Sequence, residues 1–492
     1  MTFLNRIRSK STATASVTWP FLIAINLFWL GLNFRNNANG NVFMPYLVER
    51  FVAPEVLNTA LGAMRTAGLV IAMLVQPAIG LLSDRSTSRF GRRRPFLAVG
   101  VFFDLLLLVW IAFTNSYWSL LAAVLLIQVS ANISHGALQG IIPDLVPEEQ
   151  RGRASAVKAI FELLPVVLLG ITIAPLVSAG KFGWGVVATG AVLLAILLVT
   201  LATVREKPLE KAPTTPLKPA MLRVLGMLGG ILAGAATGLG AGGLIGLVTG
   251  LVAWLVGGPE TGRLAGIAVG GVAAMGITVI GGTWAGVRLT LGNTPHPTRR
   301  FRWWVANRLM YLAAVTSLQG FLPYFLMYTF DVTSEKAIGM AGTLFTVVGL
   351  FTILSAIPAG WLSDRWGQER LTATGGILAA IGTVFVLVTV WQPAMWLLYA
   401  AGIILGIGTG LFVTTNWALG TRLTPADESG RWLGISNLAG AGAGMIGAGI
   451  GGPLADILNA SVAGLGYFTI FTGYALLFVG SVFCLRGVKA RQ

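Results

Sequence analysis

Polar side chains are scarce in this sequence, so those that fall inside apolar stretches are the first candidates for chemistry. The densest set is Asn33, Arg35, Asn36, Asn37, Asn39 and Asn41. Carboxamides carry both donors and acceptors, the complement of a hydroxyl-rich solute. An arginine in an apolar stretch is costly unless it faces protein or a water-filled cavity. A second set, Gln128, Asn132, His135 and Gln139, is spaced by four, three and four residues. On a helix this spacing puts all four on one face. His135 is read as a neutral hydrogen-bonding partner rather than a proton carrier. Arg308, Gln319, Tyr324, Asn416 and Trp417 are further polar or aromatic groups in apolar runs, and the rings of Trp29, Tyr324 and Trp417 could stack on a sugar. Asp104 and Glu162 are the acids noted in such runs. A carboxyl there can take up and release a proton, and both are proton-coupling candidates. The expected partner is a small-molecule substrate, with protons as a possible second one.

Other chemistries find little support. One cysteine, Cys484, cannot form an intrachain disulfide, and two histidines do not make a histidine-rich metal site. No cofactor or metal is expected. No Gly-x-x-x-x-Gly-Lys-Ser/Thr loop is present, so ATP is not the direct energy source. No nucleophile–base arrangement suggests an enzyme.

The elements that position these groups are membrane spans. The chain has 492 residues, 55% hydrophobic and 11% charged, whereas soluble domains average about 25% charged. Apolar runs of span length, about 20 residues, lie near 19–47, 58–82, 95–114, 117–141, 155–178 and 183–204. After a polar linker they continue near 224–256, 264–287, 303–328, 339–362, 371–391, 395–420, 432–456 and 465–485. The expected fold class is therefore an all-α polytopic membrane protein of about 14 transmembrane helices in a lipid bilayer. The net charge of +16 is not a nucleic-acid signal, because the basic residues sit in short loops. With the N-terminus inside, 27 of the 34 Lys and Arg fall in cytoplasmic segments, four in outer loops and three in spans. That bias is the positive-inside pattern, with both termini cytoplasmic.

The chain is also duplicated. Gly80-Leu81-Leu82-Ser83-Asp84-Arg85 returns as Gly360-Trp361-Leu362-Ser363-Asp364-Arg365, 280 positions later. Pro147 matches Pro425, and Pro45-Tyr46 matches Pro323-Tyr324, both at 278. The expected domains are a six-helix bundle over 1–204, a linker with a two-helix insertion over 205–302, and a second six-helix bundle over 303–492. The insertion has glycine at 226, 230, 234, 238, 242, 246 and 250. Small residues every four positions allow close helix contact in a membrane. The expectation is a hairpin that packs on one half, with an oligomer contact through Gly226–Gly250 as the alternative.

The two Gly-x-x-x-Asp-Arg loops resemble the signature of the major facilitator superfamily. The first, with its longer run Ser83 to Phe96, resembles the corresponding loop of sucrose transporters and the glycoside–pentoside–hexuronide group. The resemblance implies a major facilitator fold and secondary active transport by alternating access, with a sugar or glycoside as the expected cargo and proton coupling as a candidate drive. Efflux of amphiphiles and a non-transporting assembly factor of the same fold are the alternatives. It also implies a gate. Asp84 would pair with Arg85 or Arg92, or cap a helix of the other half near Gly430-Arg431. Asp364 would face the helix that starts near Arg153. Gly91, Arg92, Arg93 and Arg365 complete the gating set.

Overall fold

The computed structural model describes residues 17–147, 150–206, 208–209, 218–291, 297–424, 444 and 447–488. Among these residues there are helices and turns but no strand. The first half contains α1 (Trp19–Ala38), a π-helical turn (Asn39–Phe43) and α2 (Met44–Phe51), which together make one pass. It continues with α3 (Leu57–Ser83), α4 (Arg94–Ala112), α5 (Tyr117–Leu138), the short α6 (Ile141–Leu145), α7 (Arg151–Ile171), α8 (Ile173–Ser178) and α9 (Phe182–Thr203). A single long element, α10 (Lys218–Leu291), forms the insertion. The second half contains α11 (Pro297–Phe330), α12 (Ser334–Trp366), α13 (Gln368–Thr389), α14 (Met395–Leu423), α15 (447–461) and α16 (Leu465–Val488).

Eleven helices among the described residues are long and apolar enough to cross a membrane. The fourteen passes follow from these eleven. One of them is α10, which contains two arms. The α1–α2 pass carries the amides and Arg35 that lower its apolarity, and α15 is the described end of the thirteenth. The protein is an integral multi-pass membrane protein. Large apolar side chains point outward all round it, including Phe102, Phe113, Trp184, Leu198, Leu350, Ile357 and Phe483. In lipid such a surface is satisfied, and backbone polar groups are closed within each helix.

The insertion departs from the expected span ends. α10 turns at Gly258, whose φ of 83° is a left-handed conformation, and Pro259 follows it. Side chains rarely adopt that backbone, so glycine suits the turn. The first arm, 218–257, is about 60 Å long at ~1.5 Å per residue, roughly twice the ~30 Å hydrocarbon core. The glycine stripe is used inside the hairpin. A Cβ at Gly230 would meet Gly286, at Gly234 Gly282, at Gly246 Gly266 and at Gly250 Gly262. The stripe therefore seats the second arm and is not the free face that an oligomer contact through Gly226–Gly250 requires. The second arm then packs on the second half, with Gly271 against Leu454 and Met275 against Gly451 and Gly473.

Candidate functional site

The amide-rich first pass forms a ladder on α1. Asn33 donates to Trp29 O (2.9 Å), Asn37 to Asn33 O (2.8 Å) and Asn41 to Asn37 Oδ1 (3.1 Å). The four-residue spacing stacks them on one face, and all three are half-buried. Asn36 is half-buried beside them, whereas Asn39 is buried in the π turn. On α5, Asn132 donates to Gln128 O (2.7 Å), and Gln139 lies 3.2 Å from the His135 ring nitrogen.

These two faces meet at Trp29. The His135 ring stands edge-on to it, with centroids 5.2 Å apart. The Lys158 ammonium of α7 lies 4.0 Å from the Trp29 ring centre and pairs with Glu162 at 3.4 Å. α1, α5 and α7 thus bring amides, one cation and one carboxylate together around the Trp29 ring, which is 2% exposed. Lys158 lies two turns inside α7, four residues before Glu162 on the same helix face.

Arg35 and Asp104 are placed differently. They form an ion pair at 2.7 Å with 1% and 0% of their side chains exposed, and Ser130 donates to the other Asp104 oxygen. The pair ties α1 to α4 and α5. It faces no open space, so Arg35 is not positioned as a substrate ligand, and Asp104 is closed in as a proton carrier. Glu162 is bound by Lys158 rather than by Arg35 or Arg65, and Arg65 donates to Gly40 O at the π turn.

In the second half, Asn416 is buried and donates to Asn307 Oδ1 (2.6 Å). Its own Oδ1 accepts from Arg308 (3.3 Å). The Arg308 guanidinium lies 5.0 Å from the Trp417 ring centre and within electrostatic reach of Glu162. Gln319 is half-buried. Tyr324 is 2% exposed and donates to Pro45 O (2.9 Å). It seals a seam between the halves instead of lining a cavity. Pro45 and Pro323-Tyr324 are repeat counterparts, so the duplicated landmarks touch each other.

The Asp84 loop is closed within the first half. Asp84 pairs with Arg92 (2.9 Å) and Arg93 (2.5 Å), and Asp144 of α6 pairs with the same two arginines (3.4 and 3.0 Å). Arg93 also donates to Ser83 (2.5 Å), and its backbone N–H donates to Glu206 (2.6 Å). Gly91, at φ 108°, passes so near Glu206 that a Cβ would sit 2.8 Å from its carboxylate. The Arg85 backbone N–H continues the turn to Leu82 O (3.1 Å). Asp144 and Glu206 are missing from the expected gating set. Both lie near span ends beside the arginine run, and that placement was their legible signal. Among the described residues the second copy forms no such network. Arg365 covers Trp361 (4.1 Å), and Asp364 is exposed with no ion pair among the described residues. Arg153 is exposed on the first turn of α7, and among the described residues no ion pair joins it to Asp364. Arg431, with Pro425 to Trp432, lies outside the described residues.

The halves meet on the opposite side of the molecule. There Asp456 accepts from Asn58 and Thr59, Tyr324 donates to Pro45, and Arg50 pairs with Glu335 (3.6 Å). Gly62 packs on the Ala448 backbone, and Gly170 on Gly342. A family model described as Major Facilitator Superfamily matches residues 27–307 and 304–491. The chain belongs to the major facilitator superfamily.

Curated relatives match over limited stretches. Multidrug resistance protein MdtG of Serratia proteamaculans is 30% identical over 146 residues, 29% of this chain and 34% of that protein. Sucrose transport protein SUC3 of Arabidopsis thaliana is 31% identical over 112 residues, 18% of this chain and 19% of that protein. The matches thus span about a third and a fifth of those relatives. Solved structures align throughout. The POT family transporter PepTSo superposes with a TM-score of 0.65 at 13% identity, covering 97% of this chain and 100% of that one. A D-xylose-proton symporter gives 0.60 at 15%, covering 94% and 97%. At these identities the likeness shows the major facilitator fold alone.

Proposed function

We propose that this superfamily member is a secondary transporter that carries a small polar solute, a sugar or glycoside, across the cell membrane by alternating access, driven by protons. The observation that carries the cargo reading is the wall around Trp29. It gathers the half-buried amides of Asn33, Asn36, Gln128 and Gln139 around a Trp29 ring that is itself buried under Lys158 and His135. Carboxamides exchange hydrogen bonds with sugar hydroxyls as both donors and acceptors. The partial match to a sucrose transport protein supports the same reading.

Glu162 is the proton-carrying group in this account. It is paired with Lys158, within reach of Arg308 of the other half, and partly exposed, whereas Asp104 is closed off. The positive-inside charge bias supports a cytoplasmic Asp84 loop. The far-side contacts then make the conformation one that is shut towards the exterior. The match to MdtG favours a second reading, export of amphiphiles.

Uptake into proteoliposomes separates the readings. Radiolabelled mono- and disaccharides are expected to accumulate, and a pH step (acid outside) is expected to raise the level. If every sugar fails and an amphiphile is moved, the sugar reading is lost.

A further inference from the structure

We propose that Asp456 is the latch of the far-side gate, and that only one of the two far-side seams carries such a latch. Asp456 lies in α15, in the second half. Its Oδ1 accepts from the Asn58 backbone N–H (3.3 Å) and side-chain amide (2.7 Å), and its Oδ2 accepts from the Thr59 N–H (2.7 Å). Asn58 and Thr59 form the first turn of α3, in the first half. The residue before α3 is Val56, which has no side-chain group to cap it.

The first N–H groups of a helix have no partner within the helix, and they form the positive end of its dipole. A carboxylate from the other half supplies both needs here. Hydrogen bonds to an ionised group are the stronger kind. The site is dry, with Asn58 4% and Asp456 8% exposed, and the Tyr467 hydroxyl adjoins Asn58 (3.3 Å). Opening the far side must strip this carboxylate of all three donors at once.

The other polar crossings are weaker. The Arg50–Glu335 pair is 48% and 36% exposed, and exposed pairs are screened by solvent. The Tyr324 to Pro45 bond involves no charge. The duplication sharpens the comparison. At the 278-residue offset, Asp456 corresponds to Ser178 and Asn58 to Lys336. At that second seam Ser178 lies against Gly339, and Gly170 against Gly342. It is closed by small residues and backbone, with no carboxylate at the counterpart position. The acid that caps α3, Asp456, lies outside both motif loops.

This inference rests on alternating access but not on the identity of the cargo. The test uses the full chain in lipid nanodiscs on a Cys484→Ser background. Spin labels at Glu55→Cys and Ala460→Cys, both exposed, report the far-side separation by double electron–electron resonance. Asp456→Asn keeps the shape and removes the charge. It is expected to raise the ratio of far-side-open to far-side-closed molecules at least tenfold, while Glu335→Gln changes it less than twofold. Asn58→Ala removes one donor and leaves both backbone donors, so it must shift the ratio the same way by less. It also decides the matter if Asp456→Asn does not fold. An unchanged distance distribution in the folded Asp456→Asn protein, or an equal shift in Glu335→Gln, overturns the latch. A shift in a protein that moves no sugar upholds the latch and counts against the cargo.

Discussion

Removing the carboxylate of Asp104 should be far more damaging than removing the Arg35–Asp104 pair as a whole. The two side chains are 1% and 0% exposed and meet at 2.7 Å, and Ser130 satisfies the remaining carboxylate oxygen. Asp104→Leu would strand the Arg35 guanidinium with no counter-charge, and Arg35→Met would strand the carboxylate. Breaking a buried pair from one side costs about 3–5 kcal/mol, whereas replacing both partners by apolar residues of similar volume is often neutral or stabilising. Each single variant should therefore lose most of its folded population. The Arg35→Met, Asp104→Leu double variant should recover most of the loss, giving a coupling of at least ~3 kcal/mol in a double-mutant cycle. The assay is the fraction remaining monodisperse after heating in detergent, with each variant compared at several temperatures. Single variants as stable as the parent, or additive effects in the double, would refute the burial argument. The double variant also tests the proton route. pH-driven uptake should survive in it and be lost in Glu162→Gln. The reverse pattern would return proton coupling to Asp104.

Three other outcomes follow from the same geometry. Gly234→Leu should split the insertion hairpin, because a side chain there meets the backbone of Gly282, while Gly240→Leu, with nothing within 4 Å, should be tolerated; thermal stability of the two proteins decides it. Arg93→Ala should cost roughly 2–3 kcal/mol, since a buried charged hydrogen-bonding group is removed, whereas Arg89→Ala on the exposed loop should stay within about 0.5 kcal/mol; the same heating assay reads both. The Asn33→Ala, Gln128→Ala double variant should lower the affinity for a bound sugar about tenfold or more without loss of fold, since both amides are only half-buried, by isothermal titration, and unchanged affinity would remove these amides from the site.

The fold was legible because a membrane leaves few choices. Apolar runs, loop charge and the 278-residue repeat each reflect a constraint that acts on sequence directly: hydrocarbon thickness, charge asymmetry and duplicated packing. The site was legible in composition more than in partnership. Spacing placed Gln128, Asn132, His135 and Gln139 on one face, and they are on one face. Spacing could not say that Arg35 is satisfied by Asp104 rather than by a solute, because that pairing spans 69 positions and depends on how α1 and α4 pack. Asp456 stands at the edge of an apolar run, where an acid is a functional candidate whose partner sequence does not reveal. Its role depends on a partner 398 positions away in the other half. The glycine stripe is ambiguous in sequence for a related reason. Close approach requires small residues whether the neighbouring helix belongs to the same chain or to another.

Solute counterflow tests the central claim most directly, because it requires one site to face each side in turn. Proteoliposomes are loaded with unlabelled disaccharide, diluted into a trace of the labelled sugar, and sampled over minutes. A transient overshoot of label inside is expected, abolished in the Asn33→Ala, Gln128→Ala double variant. A folded, monodisperse protein that gives no overshoot with any mono- or disaccharide would contradict it.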